Sequence, residues 1–206
     1  MYCPATFREE RLDVLHDLMT RHPLATLITS GSGGLTANLV PFSLHQGGSH
    51  GMLRAHLARG NKQVDELRKG AETLVLFQGP ECYVSPSWYP SKAEHGKVVP
   101  TWNFAMVQVR GKPQVLDDAD WILEQIEQLT NNHEHGRPHP WKVTDAPEDF
   151  IAAQLKGIVG IEIPISSIEG KWKVSQNRLP EDRRGVVEGL RAEGSCHAMV
   201  NLMKHT

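Results

Sequence analysis

The segment richest in chemistry is residues 56–63, HLARGNKQ, where an apolar strand gives way to a polar turn and the start of a helix. Arg59 and Lys62 bring charge, Gly60 lets the backbone bend closely, and the amides that follow Asn61 point at whatever sits there. Charge-assisted hydrogen bonds and a helix N-terminus together suit a phosphate monoester. The same residues also make an ordinary solvated turn with two surface cations, and local sequence leaves both readings open. A second candidate is residues 98–104, VVPTWNF. Here Trp102 can wall a planar ligand and Asn103 can offer it both a donor and an acceptor, or the pair can be a core tryptophan beside a sheet-edge asparagine. The third is residues 158–177, a long extended run ending in GKWKVSQN. Period-two alternation puts Lys171, Lys173 and Ser175 on one face and Trp172, Val174 and Gln176 on the other.

Other chemistry is poorly supported. His133, His135 and His139 lie in HEHGRPHP, without the spacing or the cysteines of a zinc site, so no metal is expected. Ser85-Pro86-Ser87 lacks the setting of a hydrolase nucleophile. Arg183, Arg184, Arg191 and Lys204 are balanced by Glu181, Asp182, Glu188 and Glu193, which describes a charged, solvated helix.

The elements that must position these groups follow from periodicity and turn chemistry. Residues 8–21 read as an amphipathic helix stopped by Pro23. A hairpin is expected over 24–29 and 35–44, turning at 30–34 with Pro41 at an edge or bulge, followed by a strand through 52–57. Asn61 can cap a helix over 62–69 that ends at Gly70. Residues 73–77 form an apolar strand that 82–84 continue after the Gly79-Pro80 break. Residues 85–96 read as a long loop and 98–116 as extended with a turn near 111–113. Helices are expected from 117–119 through Leu129, over 150–155, and over 181–204 with Gly185, Gly189 and Gly194 as interruptions; 158–168 is extended. Strands and short helices in this irregular order favour an antiparallel barrel with peripheral helices, a mainly β fold, over a doubly wound sheet.

The chain has 206 residues with 22 basic and 24 acidic side chains, enough for one large domain or two small ones and too balanced for bulk attraction to polyanions. No linker or repeat divides it, so residues 1–206 are read as a single domain with a helical region at 181–204. Cys3, Cys82 and Cys196 are far apart in sequence, with no C-x-x-C pair, which suits a reduced cytoplasmic protein. Neither a signal peptide nor a membrane span is expected.

Taken together, HLARGNKQ, FQGPECYVSPSWY (77–89), VPTWNF and KGIVGIEIPISSIEGKWKVSQN closely resemble the PaiB-like family, bacterial proteins known as negative transcriptional regulators. The opening MYCPATF is similar to that family's start, so the resemblance runs from residue 1 to about 202. It implies an FMN-binding split β-barrel, similar to the pyridoxamine-phosphate oxidase superfamily, forming a homodimer with flavin at the subunit interface. Carried across, it implies a phosphate grip of His56, Arg59, Asn61 and Lys62. Tyr83, Ser85, Trp102 and Asn103 are implied near the flavin ring, and Lys173, Ser175, Gln176 and Asn177 approach it from a later strand. The chain departs from the family pattern at 91–97 and 133–140, loops that govern access rather than anchoring. Two outputs fit: a flavin-binding negative transcriptional regulator, or a flavin-dependent oxidoreductase acting on an unknown small molecule, for which FMN needs no distinctive catalytic side chain. Direct DNA binding lacks a helix-turn-helix, a zinc finger or a basic recognition helix to carry it.

Overall fold

The computed structural model describes residues 1–194 and 196–204. In chain order the strands are β1 (Arg8–Glu9), β2 (Leu24–Gly31), β3 (Gly34–Pro41), β4 (Ser43–His45), β5 (Met52–Ala58), β6 (Thr73–Val84), β7 (Thr101–Gly111), β8 (Gln114–Leu116), β9 (Ile158–Pro164) and β10 (Ser167–Lys173). The helices are α1 (Leu12–Arg21), α2 (Gln63–Arg68), α3 (Ser91–His95), α4 (Ala119–Glu134), α5 (Glu148–Lys156), α6 (Pro180–Ala192) and α7 (His197–Lys204). Two compact units account for them: Met1–Met19, Phe77–Gln108 and Glu169–Thr206 form one, and Thr20–Leu76 and Val109–Ile168 the other.

The second of these units holds the hairpin. β2 pairs antiparallel with β3 from Leu24↔Pro41 to Gly31↔Gly34, which leaves Ser32 and Gly33 as a two-residue turn. β2 also pairs with the first residues of β6, Thr26↔Leu76 to Ile28↔Leu74. The strand expected to reach residue 44 stops at Pro41, and Ser43–His45 joins a different sheet, ordered β4-β5-β9-β8. In β5, Leu53, Ala55 and Leu57 are buried and alternate with Arg54 and His56. Val159, Ile161 and Ile163 of β9 are completely buried as well. Each such side chain contributes about 1.5–3 kcal/mol of burial. α4 begins where Asp118 accepts the N–H groups of Asp120 and Trp121 at 2.9 and 3.1 Å. Trp121 then lies against Gly160 of β9, a place no Cβ could share.

In the first unit, β1, β10, β7 and β6 are neighbours in that order. Residues 8 and 9, expected in the first helix, instead pair with Lys171 and Gly170 of β10. Glu9 accepts the Arg11 N–H at 2.9 Å, and α1 begins only at Leu12. Leu15, Leu18 and Met19 turn its apolar stripe into the core. β6 is one unbroken strand rather than two. Its buried positions are Thr73, Val75, Phe77 and Gly79, then Cys82 and Val84, so the alternation slips by one residue at Pro80-Glu81. That is the signature of a β-bulge, at a proline that has no N–H for the ladder.

The expected loop at 85–96 contains a 3-10 turn, Pro86–Trp88, and the helix α3, which ends at Gly96 with φ 64°. The loop reading failed because long-range partners order this segment: buried Asp182 of α6 accepts the Ser91 N–H at 3.2 Å and its hydroxyl at 2.8 Å. Gly185 and Gly189 do not interrupt the terminal helix. A Cβ at Gly185 would strike the Trp88 carbonyl and one at Gly189 the Trp88 ring, so both glycines make room for Trp88 within a continuous α6. Gly194, with φ 65°, does break the helical region. Ser195, inside the predicted region 181–204, lies outside the described residues. No helix among the described residues is long and apolar enough to cross a membrane.

Candidate functional site

The HLARGNKQ turn belongs to the second unit. β5 ends at Ala58, and Asn61 accepts the Gln63 N–H through Oδ1 at 2.9 Å, capping the start of α2. Gln63 is buried and acts as a clip. Its Nε2 donates to Leu27 O, Thr29 Oγ1 and Thr36 O at 3.1, 3.2 and 3.3 Å, and its Oε1 accepts Asn38 Nδ2 at 2.9 Å. The turn is thereby fastened to the β2–β3 hairpin.

Arg59 and Lys62, paired in the sequence reading, behave differently. The Arg59 guanidinium donates to Asp117 Oδ1 at 2.6 Å and to the carbonyls of Lys156 and Ile158 at 3.1 and 3.0 Å. Arg68 binds the same carboxylate at 2.8 Å, and the two guanidinium groups hold Asp117 below its ordinary pKa. Two arginines on one carboxylate leave a net positive charge at the turn, and exposed Lys62 adds another. Arg59 shapes the turn while Lys62 faces solvent. His56 points elsewhere: its Nδ1 lies 2.8 Å from Oε1 of Gln125 on α4, whose Nε2 is buried without a partner.

The remaining candidates lie in the first unit. Tyr83 of β6 and Trp102 of β7 are 46% and 53% exposed, too much for core residues. Their rings meet edge to face with centroids 6.0 Å apart. Lys173 of β10 donates to the Trp102 carbonyl and the Thr101 hydroxyl, which places its ammonium beside this aromatic face. Burial lowers the Lys173 pKa, and the charges of Arg178 and Lys171 lower it further. Lys171, next along the same face, lies 5.4 Å from the Phe104 ring centroid. An exposed aromatic pair with a partly desolvated cation suits a planar, electron-accepting ring.

Asn103 is on the opposite side of β7 from Trp102 and has no exposed surface. Its Nδ2 donates to Ser175 Oγ at 2.9 Å, and Ser175 Oγ donates back to Oδ1 at 3.2 Å. The predicted alternation over 171–176 therefore stops at Lys173. Ser175 turns into the left-handed region, φ 64°, and is buried instead of sharing the face of Lys171 and Lys173. Gln176 folds onto its own turn, accepting the Val174 N–H at 2.8 Å. Asn177 is exposed, and Ser85 accepts the Ser87 N–H at 3.2 Å.

The first unit thus gathers Tyr83, Trp102 and Lys173 at one surface, with Asn103 and Ser175 beneath it. The second unit carries His56, Arg59, Asn61 and Lys62. Sequence reasoning missed Asp117, Gln63, Gln125 and Asp182. The consecutive aspartates 117 and 118 at a predicted helix start were the one signal available for any of them. No group of three or more metal-binding side chains is found among the described residues, and His133, His135 and His139 lie in or beside the exposed end of α4.

Comparison with known proteins places this geometry. The chain is 30% identical over 206 residues to the protease synthase and sporulation protein PAI 2 of Bacillus subtilis, covering 99% of this chain and 97% of that one. It is 34% identical over 231 residues to an uncharacterized protein of Emericella nidulans, covering 95% and 92%. The FAD and heme binding protein of Mycobacterium smegmatis superposes with a TM-score of 0.58 at 18% identity, covering 81% of this chain and 73% of that one, a likeness of fold. The two antiparallel sheets with peripheral helices are those of the flavin-binding split barrels. Residues 1–167 match the family described as "Putative FMN-binding domain", and the chain belongs to that family and, with the Bacillus protein, to its PaiB-like members.

Proposed function

We propose that residues 1–206 act as one FMN-binding domain, that the chain is a homodimer with flavin at the subunit interface, and that flavin state governs a negative regulatory output. The observation that carries the flavin reading is the exposed Tyr83–Trp102 pair with Lys173 beside it. Apolar rings at this exposure are costly unless a ligand or partner covers them. FMN, when bound, supplies hydride and electron transfer. For that ligand, Tyr83 and Trp102 provide a platform for the ring, and Lys173 keeps its ammonium aimed through the Trp102 carbonyl. Asn103, Ser175 and Gln176 support from below, with Ser85 and Asn177 at the margin. Lys62 and the amides after Asn61 take the phosphate, Arg59 holds their turn in shape, and His56 braces the strand through Gln125. Each role rests on its own unit and is tested separately.

The regulatory output draws on the sporulation-related name of the Bacillus relative. α6 carries Arg183, Arg184 and Arg191 interleaved with Glu181 and Glu188, which does not make a basic recognition helix. The reading therefore places the output in the cytoplasm, through a partner or a small molecule. A flavin-dependent oxidoreductase is the second reading, favoured by Lys173, since a cation beside the ring stabilises reduced flavin.

The test is FMN titration of purified protein followed by visible absorbance and fluorescence. A flavin band is expected, with affinity lowered roughly 10–100-fold by Lys62→Ala, the value of a lost charge-assisted hydrogen bond, and lowered separately by Trp102→Ala. Protein that is colourless and ignores added FMN overturns the reading. Turnover by NADH or NADPH with an acceptor selects the oxidoreductase. A salt-sensitive promoter shift at low salt selects direct DNA binding.

A further inference from the structure

Cys82 and Cys196, far apart in the chain, meet in the first unit. Cys82 is buried in β6 within a cluster that includes Val84, Tyr89, Val186 and Met199, and Cys196 packs against that cluster from the residue preceding α7. The Cys196 thiol donates to the carbonyl of Glu81, the residue next to Cys82, at 3.7 Å. The two thiols are also in side-chain hydrogen-bonding contact. Backbone geometry holds this approach in place. Cys196 has φ 57°, and its carbonyl accepts the Val200 N–H at 3.1 Å in the first turn of α7. Ser175 and Cys196 are the two non-glycine residues with positive φ among the described residues, and such conformations cost energy that packing must offset. Burial, reinforced by Cys196, pushes the Cys82 thiol up to about 12, whereas Cys196 is partly open to solvent. Neither sulfur has a part in the flavin reading. The third cysteine, Cys3, contacts the carbonyls of Pro4 and Gly170 instead.

We propose that Cys82 and Cys196 are a reversible thiol–disulfide pair closed by hydrogen peroxide, with Cys196 the sulfur that meets the oxidant and Cys82 the one that resolves it. In the first step the Cys196 sulfur attacks one peroxide oxygen and the O–O bond breaks. The departing hydroxide takes the Cys196 proton as water, and the sulfur is left as a sulfenic acid. In the second step the Cys82 sulfur attacks that sulfur, the S–O bond breaks, and the leaving hydroxide takes the Cys82 proton as a second water. Two thiols lose two electrons to one peroxide. The high Cys82 pKa keeps that thiol quiet until its neighbour is oxidised, because a buried, protonated sulfur is a poor nucleophile toward free peroxide. The bond would join the residue before α7 to the strand that carries Tyr83, directly behind the aromatic face. A switch at this place acts on α7, whose Met203 sulfur already accepts Asn103 Nδ2 at 3.8 Å.

The experiment uses the full chain, reduced, freed of reductant and treated with hydrogen peroxide, then denatured, alkylated and mapped by mass spectrometry without reduction. Two of the three thiols should disappear together, in a single peptide pair linking Cys82 to Cys196 that dithiothreitol separates. Cys3→Ser should leave this unchanged. Cys82→Ser should instead trap a sulfenic acid at Cys196 that dimedone labels. Should that variant fail to fold, the wild-type map alone decides. The proposal is overturned if Cys82 still alkylates fully after Cys196 has been oxidised, or if crosslinks run only between chains through Cys3. The readout is on sulfur and is independent of whether flavin binds.

Discussion

The Asn103 amide and the Ser175 hydroxyl satisfy one another in a closed pair, 2.9 Å in one direction and 3.2 Å in the other, with Ser175 held at φ 64°. Removing the hydroxyl strands a buried amide, at a cost of about 1–3 kcal/mol. Ser175→Ala should therefore lose that much stability. Ser175→Gly loses the same bonds but relieves the left-handed backbone, so it should sit about 1 kcal/mol closer to the native protein. Urea denaturation of both variants checks the order, and Ser175→Gly emerging as the less stable would refute it.

Glycine-to-alanine changes inside a helix normally stabilise by about 1 kcal/mol. At Gly189 the sign should reverse, because the new methyl would enter the Trp88 ring. A loss of about 1–3 kcal/mol is expected from overpacking. Thermal melts of Gly189→Ala and of the double variant with Trp88→Ala separate the two effects; the alanine should become tolerable once the indole is gone.

Gln63 makes four hydrogen bonds from a buried position. Gln63→Leu keeps the volume but leaves Asn38 and the Thr29 hydroxyl short of a partner, for an expected loss of about 2–4 kcal/mol. Hydrogen exchange should show α2 and the β2–β3 hairpin losing protection together. If α2 alone loosens, the clip does not couple them.

Lys173 sets a pH dependence whose direction is fixed by its lowered pKa, caused first by burial and then by Arg178 and Lys171. Between the folded value and the ordinary lysine value the unfolded chain holds more protons, so the folded state gains as pH rises through that window. Below the window the cost of the buried charge is constant. The stability of the native protein relative to Lys173→Met should accordingly be flat near neutrality and climb in the alkaline range. A difference that falls with rising pH would contradict the assignment.

Much of the fold was legible because its signals are local. Alternation in β5, the two-residue turn after Gly31, and the Asn61 and Asp118 caps are all visible in short windows of sequence. The failures came where distant residues decide. Trp88 makes Gly185 and Gly189 necessary inside a helix, and a sequence window shows only two helix-weakening glycines. Asp182 orders residues 91–95 from far along the chain. Within the candidate site, composition identified Arg59 and Lys62 as equals. Asp117 and two carbonyls make one of them structural, which no reading of HLARGNKQ alone could show. Trp102 and Asn103 were singled out correctly as a pair, but which of them faces solvent depends on strand parity, and parity depends on neighbours in β6 and β10.

The slip at Pro80-Glu81 carries a consequence for how this chain can change over generations. Upstream of it odd-numbered residues of β6 face inward, and downstream even-numbered ones do, so Cys82 is buried and Tyr83 exposed only because of one extra residue. Deleting a single codon there would restore a regular strand and exchange the two, sending the tyrosine inward and the thiol out. An aromatic platform and a shielded sulfur would be lost in one step. Point substitutions elsewhere in the strand can be tolerated one at a time, but its length between Phe77 and Cys82 cannot drift.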